Sequence, residues 1–143
     1  MPRLLTNPTK TIRYYAIDQC VGRDAPNDRQ DVLLVQFFLS VATSSLVTLP
    51  GTPIGTQVPG SPIVVDGYCG QQTIGFIEYV QQRFQQAPVP RSYTMGQVWP
   101  HGTAGDNTLG MFNDMMRHFN LNWYLPAING FPGELKPLLF FEN

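Results

Sequence analysis

One short pattern occurs twice and constrains the fold more than any other feature of the chain. The first copy reads Gly67-Tyr68-Cys69-Gly70-Gln71-Gln72-Thr73-Ile74-Gly75-Phe76 and continues to Phe84. The second reads Gly102-Thr103-Ala104-Gly105-Asp106-Asn107-Thr108-Leu109-Gly110-Met111 and continues to Phe119. Each copy reads as a tight glycine turn feeding a helix. Glycine adopts φ > 0 without a Cβ clash, and a threonine hydroxyl can satisfy N–H groups exposed at a helix start. In the first copy Gly70 is expected to let the backbone pass close to a neighbouring helix.

The apolar spacing after each turn predicts a helix. From Thr73 to about Gln86, Ile74, Ile77, Val80, Phe84 and in part Phe76 fall inward. From about Asn107 to Phe119 the stripe is Leu109, Phe112, Met115, Met116 and Phe119. A third helix is predicted through Asp31 to Leu39, capped by Asn27 or Asp28 and so apolar that it must be mostly buried. Between this helix and the one that starts at Thr73 lies Ser40 to Ile63, rich in glycine and in proline, which breaks both helix and central strand. Structureless stretches of this length are often functional, so it is a candidate binding segment. The chain before Gly22 reads as an extended arm or edge strand, and Arg91 to Pro100 as a linker. The stretch from Leu121 to Asn143 is too apolar for a disordered tail, so it is expected to wrap onto the domain or dock on another chain.

These elements, in this order, resemble the peptidoglycan-binding domain 1 family, a small three-helix module. The family's first-helix signature is matched by Asp31-Val32-Leu33-Leu34-Val35-Gln36-Phe37-Phe38-Leu39. Its turn-and-helix signature is matched by Asp66-Gly67-Tyr68-Cys69-Gly70-Gln71-Gln72-Thr73, closing at Arg83-Phe84-Gln85. The third signature is His101-Gly102-Thr103-Ala104-Gly105-Asp106-Asn107-Thr108. His101 stands where the family carries Asp, Cys69 stands where it carries Phe, and the segment from Ser40 to Ile63 is longer than the family's connection. The resemblance implies a mainly α fold: a three-helix bundle over residues 27–119 with an insertion at 40–63. An N-terminal arm over 1–26 and an aromatic C-terminal extension over 120–143 flank it.

Charged residues make up 13% of the 143-residue chain, about half the usual ~25%. Thirteen Pro and thirteen Gly stand in for them, and a surface so poor in charge hints at partners that cover it. With a net charge of −1 and nine scattered basic residues, nucleic-acid binding through phosphate contacts is not expected. No apolar run suits a signal peptide or a membrane span. The protein is therefore expected to be made in the cytoplasm and to stay there, enter a particle or leave by a non-classical route.

Catalytic chemistry finds little support in the residue pattern. His101 and His118 are the only histidines and sit in no metal-binding motif, so no metal and no cofactor are expected. Cys69 occupies a motif position that is normally buried, which makes a poor nucleophile. Cys20 and Cys69 read as two buried free thiols, and a disulfide would need folding to bring them together. Asp66 and Asp106 read as turn or cap residues, and Glu78 and Asp114 as solvated helix faces, rather than a glycosidase pair.

Two functions follow. The resemblance implies a non-catalytic cell-wall module that holds peptidoglycan glycan or stem peptide in a shallow groove. Its candidate ligand-binding residues are Tyr68, Tyr79, Trp99 and Thr103. The alternative is a structural component of a phage-tail-like or other large assembly that reuses the fold. Its candidate partner-binding residues are Trp123, Tyr124, Phe140 and Phe141, facing other protein subunits.

Overall fold

A computed structural model describes residues 2–6, 13–43, 62–86, 93–100, 108–118 and 133–135. Among the described residues, three helices pack together with two small antiparallel strand pairs. Helix α1 spans Arg29–Ala42, α2 spans Gln71–Phe84 and α3 spans Thr108–His118. The mainly helical reading holds, and each helix lies within a few residues of its expected span. At the start of α1 it is Asp28, not Asn27, that caps: its carboxylate accepts from the Asp31 N–H at 3.3 Å. Asn27 instead closes the preceding turn, accepting from the Gly22 N–H and donating to the Gly22 and Ala25 carbonyls.

Helix α1 is buried on every side from Asp31 to Leu39, which makes it the centre of the domain. Its apolar residues run almost without interruption because α2, α3 and the β-structure all need a face of it. The helices meet through aromatic rings. Phe38 of α1 stacks on Phe112 of α3 with centroids 5.3 Å apart, and Phe84 of α2 meets Phe112 edge-on at 5.6 Å. Such pairs contribute about 0.5–1.5 kcal/mol each beyond the area they bury. On α2 the expected inward set is corrected in one respect: Phe76 is fully buried and Ile74 only half-buried.

The N-terminal segment forms a hairpin. Strand β1 (Arg3–Thr6) pairs antiparallel with β2 (Arg13–Ala16), Leu4 lying opposite Tyr15. The second strand enters the core: Tyr15, Ala16 and Ile17 are buried, and the Tyr15 ring meets Phe38 edge-on at 5.5 Å. Asn113 of α3 fixes this seam. Its amide oxygen accepts from the Tyr15 N–H at 2.7 Å, and its amide nitrogen donates to the Tyr15 carbonyl at 3.0 Å.

A second pair joins β3 (Val21–Gly22) to β4 (Gln97–Val98), with Val21 and Val98 opposite each other and buried. The stretch expected to be a linker therefore contributes a strand and core residues. Burial pushes the Asp31 carboxyl upward from its ordinary value, against the Gln19 N–H that donates to it at 3.1 Å. Further along, Leu135 is buried in the core, so at residues 133–135 the C-terminal segment wraps back onto the domain. Among the described residues, no helix is long and apolar enough to cross a membrane.

Two glycines give opposite expectations. Gly22 has φ +129°, and a Cβ there would lie 2.0 Å from the Gly96 carbonyl oxygen. Gly75 lies inside α2 with nothing within 4 Å of an added Cβ. Gly22→Ala is expected to destabilise by more than about 2 kcal/mol, whereas Gly75→Ala gains about 0.5–1 kcal/mol. Urea unfolding of both variants against the parent measures the difference.

Candidate functional site

The turn at Asp66–Gly70 is built around a side chain that reaches into it from α1. Gln36 is fully buried, and its carbonyl oxygen accepts from the Asp66 and Gly67 N–H groups at 3.0 and 2.9 Å. Its amide nitrogen donates to the Tyr68 carbonyl and the Thr73 hydroxyl, each at 3.0 Å, and faces the Asp66 carboxylate at 3.2 Å. A buried amide costs free energy unless its polar atoms find partners, and here they all do. Thr73 is thus not the helix cap. Gly70 holds that position, and Thr73, two residues into α2, turns its hydroxyl inward to Gln36.

Gly67 has φ +80°, as the Asp-Gly turn requires, and a Cβ there would meet the Arg29 side chain at 2.7 Å. Gly70 plays a different part from the one expected. Its added Cβ would meet the Tyr68 ring at 3.1 Å and no neighbouring helix. The Tyr68 ring therefore lies over a glycine, with 75% of the residue exposed. Its backbone is held from two sides, since the Tyr68 N–H donates to the Asp66 carboxylate at 2.9 Å and its carbonyl accepts from Gln36. The Tyr68 N–H, followed by the Gln36 amide, holds the Asp66 carboxyl below its ordinary value.

The same device occurs again between α2 and α3. Gln81 is fully buried; its carbonyl oxygen accepts from the Gly96 N–H at 2.8 Å. Its amide nitrogen donates to the Thr94 and Gln97 carbonyls and to the Thr108 hydroxyl, at 2.8, 2.9 and 2.9 Å. Gly96 has φ +80°, matching Gly67. The structural repeat is therefore Gln36–Gly67–Thr73 and Gln81–Gly96–Thr108. The turn that Gln81 holds is at Gly96, whereas Gly102, the expected counterpart of Gly67, lies outside the described residues. Helix α2 closes at Phe84 with Gln85 as its C-cap, as expected, but it is Gln81 that turns inward while Gln85 is exposed.

One sequence signal could have found this. Val35-Gln36-Phe37-Phe38-Leu39 and Val80-Gln81-Gln82-Arg83-Phe84 share the pattern Val-Gln-x-x-apolar, and in both the valine, the glutamine and the last residue are buried.

The candidate ligand-binding residues have unequal surroundings. Tyr68 faces solvent. Tyr79 is half-buried beneath the Arg83 guanidinium, 5.5 Å from its ring centroid. Trp99 is half-buried, its indole N–H donating to Gln97 at 2.8 Å. Thr103, His101, Asp106, the stretch 44–61 and the partner candidates Trp123, Tyr124, Phe140 and Phe141 lie outside the described residues. Of the acids, Glu78 pairs with Arg23, and Glu134 accepts from the Arg29 guanidinium at 3.1 Å. Arg29 also donates to the Asp66 carbonyl at 2.7 Å, so it joins α1, the first turn and the C-terminal segment.

Cys20 and Cys69 are free thiols, each half-buried rather than fully buried. Burial pushes the Cys69 thiol up, opposed by the Gly22 N–H, which leaves it a weak nucleophile. Among the described residues, no group of His, Cys, Asp or Glu side chains could hold a metal ion.

In comparisons with protein-family models, curated proteins and solved structures, nothing matches the chain.

Removing either glutamine strands buried N–H groups. Gln36→Ala and Gln81→Ala are each expected to cost about 3–5 kcal/mol, against less than about 0.5 kcal/mol for exposed Gln85→Ala. Equilibrium denaturation of the three variants checks this, and equal losses for Gln81 and Gln85 would overturn the second latch. A pH dependence follows from Asp66. Its folded pKa is depressed, so its contribution is present above the ordinary value of 3.8 and is lost as pH falls through the folded value. Between about pH 5 and pH 3, Asp66→Asn should flatten the loss of melting temperature.

Proposed function

We propose that the chain is a non-catalytic binding module of the peptidoglycan-binding type, with Tyr68 as its principal contact. The observation that carries this reading is the pairing of a highly exposed ring with an immobilised backbone at the Gln36 turn. An exposed aromatic loses little freedom on binding when its main chain is already fixed. A tyrosine ring offers a flat apolar face for a sugar ring and a hydroxyl for hydrogen bonding at its rim. Peptidoglycan glycan or stem peptide is the ligand class, with Trp99, Tyr79 and Thr103 as further contacts. A non-catalytic role accords with the engagement of the acids: Asp66 in its turn, Asp28 in a cap, Glu78 and Glu134 in ion pairs.

The second reading, a subunit of a phage-tail-like or other assembly, draws on one separate observation. Strand β1 forms one edge of a two-stranded sheet, and such an edge invites another strand.

Sedimentation with purified murein sacculi tests the first reading. The parent should be retained at moderate salt. Tyr68→Ala should lose at least about tenfold in retention with an unchanged melting temperature, as expected for an interface anchor of about 1.4 kcal/mol or more. Exposed Gln82→Ala should behave as the parent. Absence of retention in the parent, or full retention in Tyr68→Ala, would overturn the proposal.

A further inference from the structure

Asp66-Gly67 is the one Asp-Gly pair in the chain, and the pair is chemically reactive. The main-chain nitrogen of the glycine can attack the side-chain carboxyl carbon of the aspartate. A C–N bond forms, a C–O bond breaks, and water leaves, made of the amide proton and the carboxyl hydroxyl. The cyclic imide takes the water back at either of its carbonyls. Opening at the main-chain carbonyl gives isoaspartate, in which the chain continues through the former side chain. The sequence needs no reagent but water and leaves the mass unchanged. Glycine favours it because no Cβ crowds the attacking nitrogen.

The two reacting groups have opposite surroundings here. Asp66 is exposed, so its carboxyl is open to solvent. Gly67 is buried, and its N–H donates to the Gln36 carbonyl oxygen at 2.9 Å. The carboxylate is held too, accepting from the Tyr68 N–H at 2.9 Å with the Gln36 amide nitrogen 3.2 Å away. Attack requires the Gly67 nitrogen to lose its proton and to turn toward the carboxyl carbon. Gln36 keeps that proton engaged and the peptide plane fixed, while its other end restrains the target. Arg29 acts in the opposite sense. It donates to the Asp66 carbonyl at 2.7 Å, which draws electrons from the same peptide and makes its N–H more acidic. The restraint on this pair therefore comes from Gln36.

The structure assigns Asp66-Gly67 as a latent isoaspartate site that the buried Gln36 amide keeps closed. Release of Gln36, rather than exposure of Asp66, sets the rate of modification. Isoaspartate adds one carbon to the main chain between the Asp66 and Gly67 N–H groups, which Gln36 now receives together at 3.0 and 2.9 Å. The latch does not re-form in its present shape after that change. The inference stands on the latch and does not depend on the cell-wall reading.

The test is prolonged incubation at neutral pH, followed by mapping of the peptide that carries residues 66 and 67. That peptide is isolated because Asn129-Gly130 is a second source of isoaspartate in the chain. The folded parent should form isoaspartate at Asp66 at least about tenfold more slowly than the chain unfolded in guanidinium chloride, since reaction waits on opening. At low guanidinium concentrations, isoaspartate formation and hydrogen exchange of the Gly67 N–H should rise in parallel, because one opening frees both. This comparison uses the parent alone, so it holds even where a variant does not fold. Gln81→Ala removes an equivalent buried amide yet keeps every bond at Asp66-Gly67. Compared at equal fraction folded, Gln36→Ala should approach the unfolded rate while Gln81→Ala stays near the parent. Isomerisation of the folded parent at the unfolded rate, Gly67 exchange that does not track it, or equal acceleration in the two variants would each overturn the inference.

Discussion

A neutral amide buried between helix and turn organises this domain. Glutamine is suited to the task because it carries two donors and an acceptor with two lone pairs on a side chain long enough to leave its own helix. A carboxylate or ammonium in the same place would bear a much larger desolvation cost. Gln36 engages N–H groups, a carbonyl, a carboxylate and a hydroxyl at once, so the path from Asp66 to the start of α2 is fixed by one side chain. Arg29 extends that order outward, donating to both the Asp66 carbonyl and the Glu134 carboxylate. Burial of Leu135 beside Glu134 then draws the C-terminal segment into the same unit.

What the sequence made legible is what depends on local pattern. The helices were readable because apolar residues recur at helical spacing, and the Asp66-Gly67 turn because few residues other than glycine tolerate its φ. The turn at Gly96 is not legible from glycine spacing, for a physical reason. Six positions separate Gly67 from Thr73, but twelve separate Gly96 from Thr108, and turns tolerate insertion far better than packed helices do. Glycine spacing therefore points to Gly102, which lies outside the described residues, whereas the buried glutamines point to Gly96.

The segment before Gly22 reads as extended chain, but its pairing into a hairpin is hidden for a related reason. Tyr14-Tyr15-Ala16-Ile17 has no alternation of polar and apolar residues to mark a strand. Its anchor, Asn113, has the composition of a surface position on α3, and only the fold brings it to Tyr15. Buried polar residues that serve a distant main chain leave no periodic trace. Gln81 and Asn113 are both of this kind.

The two latches hold equivalent main-chain positions but differ in the residue that follows the glycine. After Gly67 comes Tyr68, whose ring is left to solvent. After Gly96 comes Gln97, whose amide nitrogen donates to the Arg23 carbonyl at 2.6 Å and whose oxygen accepts from Trp99. At the second turn the side chain completes the internal network and joins β4 to the segment before α1. At the first, that bonding is already supplied by Asp66 and Gln36, so the side chain is not needed to hold the fold. A position released from structural duty, on a backbone that cannot shift, is where a large aromatic side chain can be kept for contact with another molecule. The asymmetry between Tyr68 and Gln97, rather than the repeat itself, is what supports the proposed contact role of Tyr68.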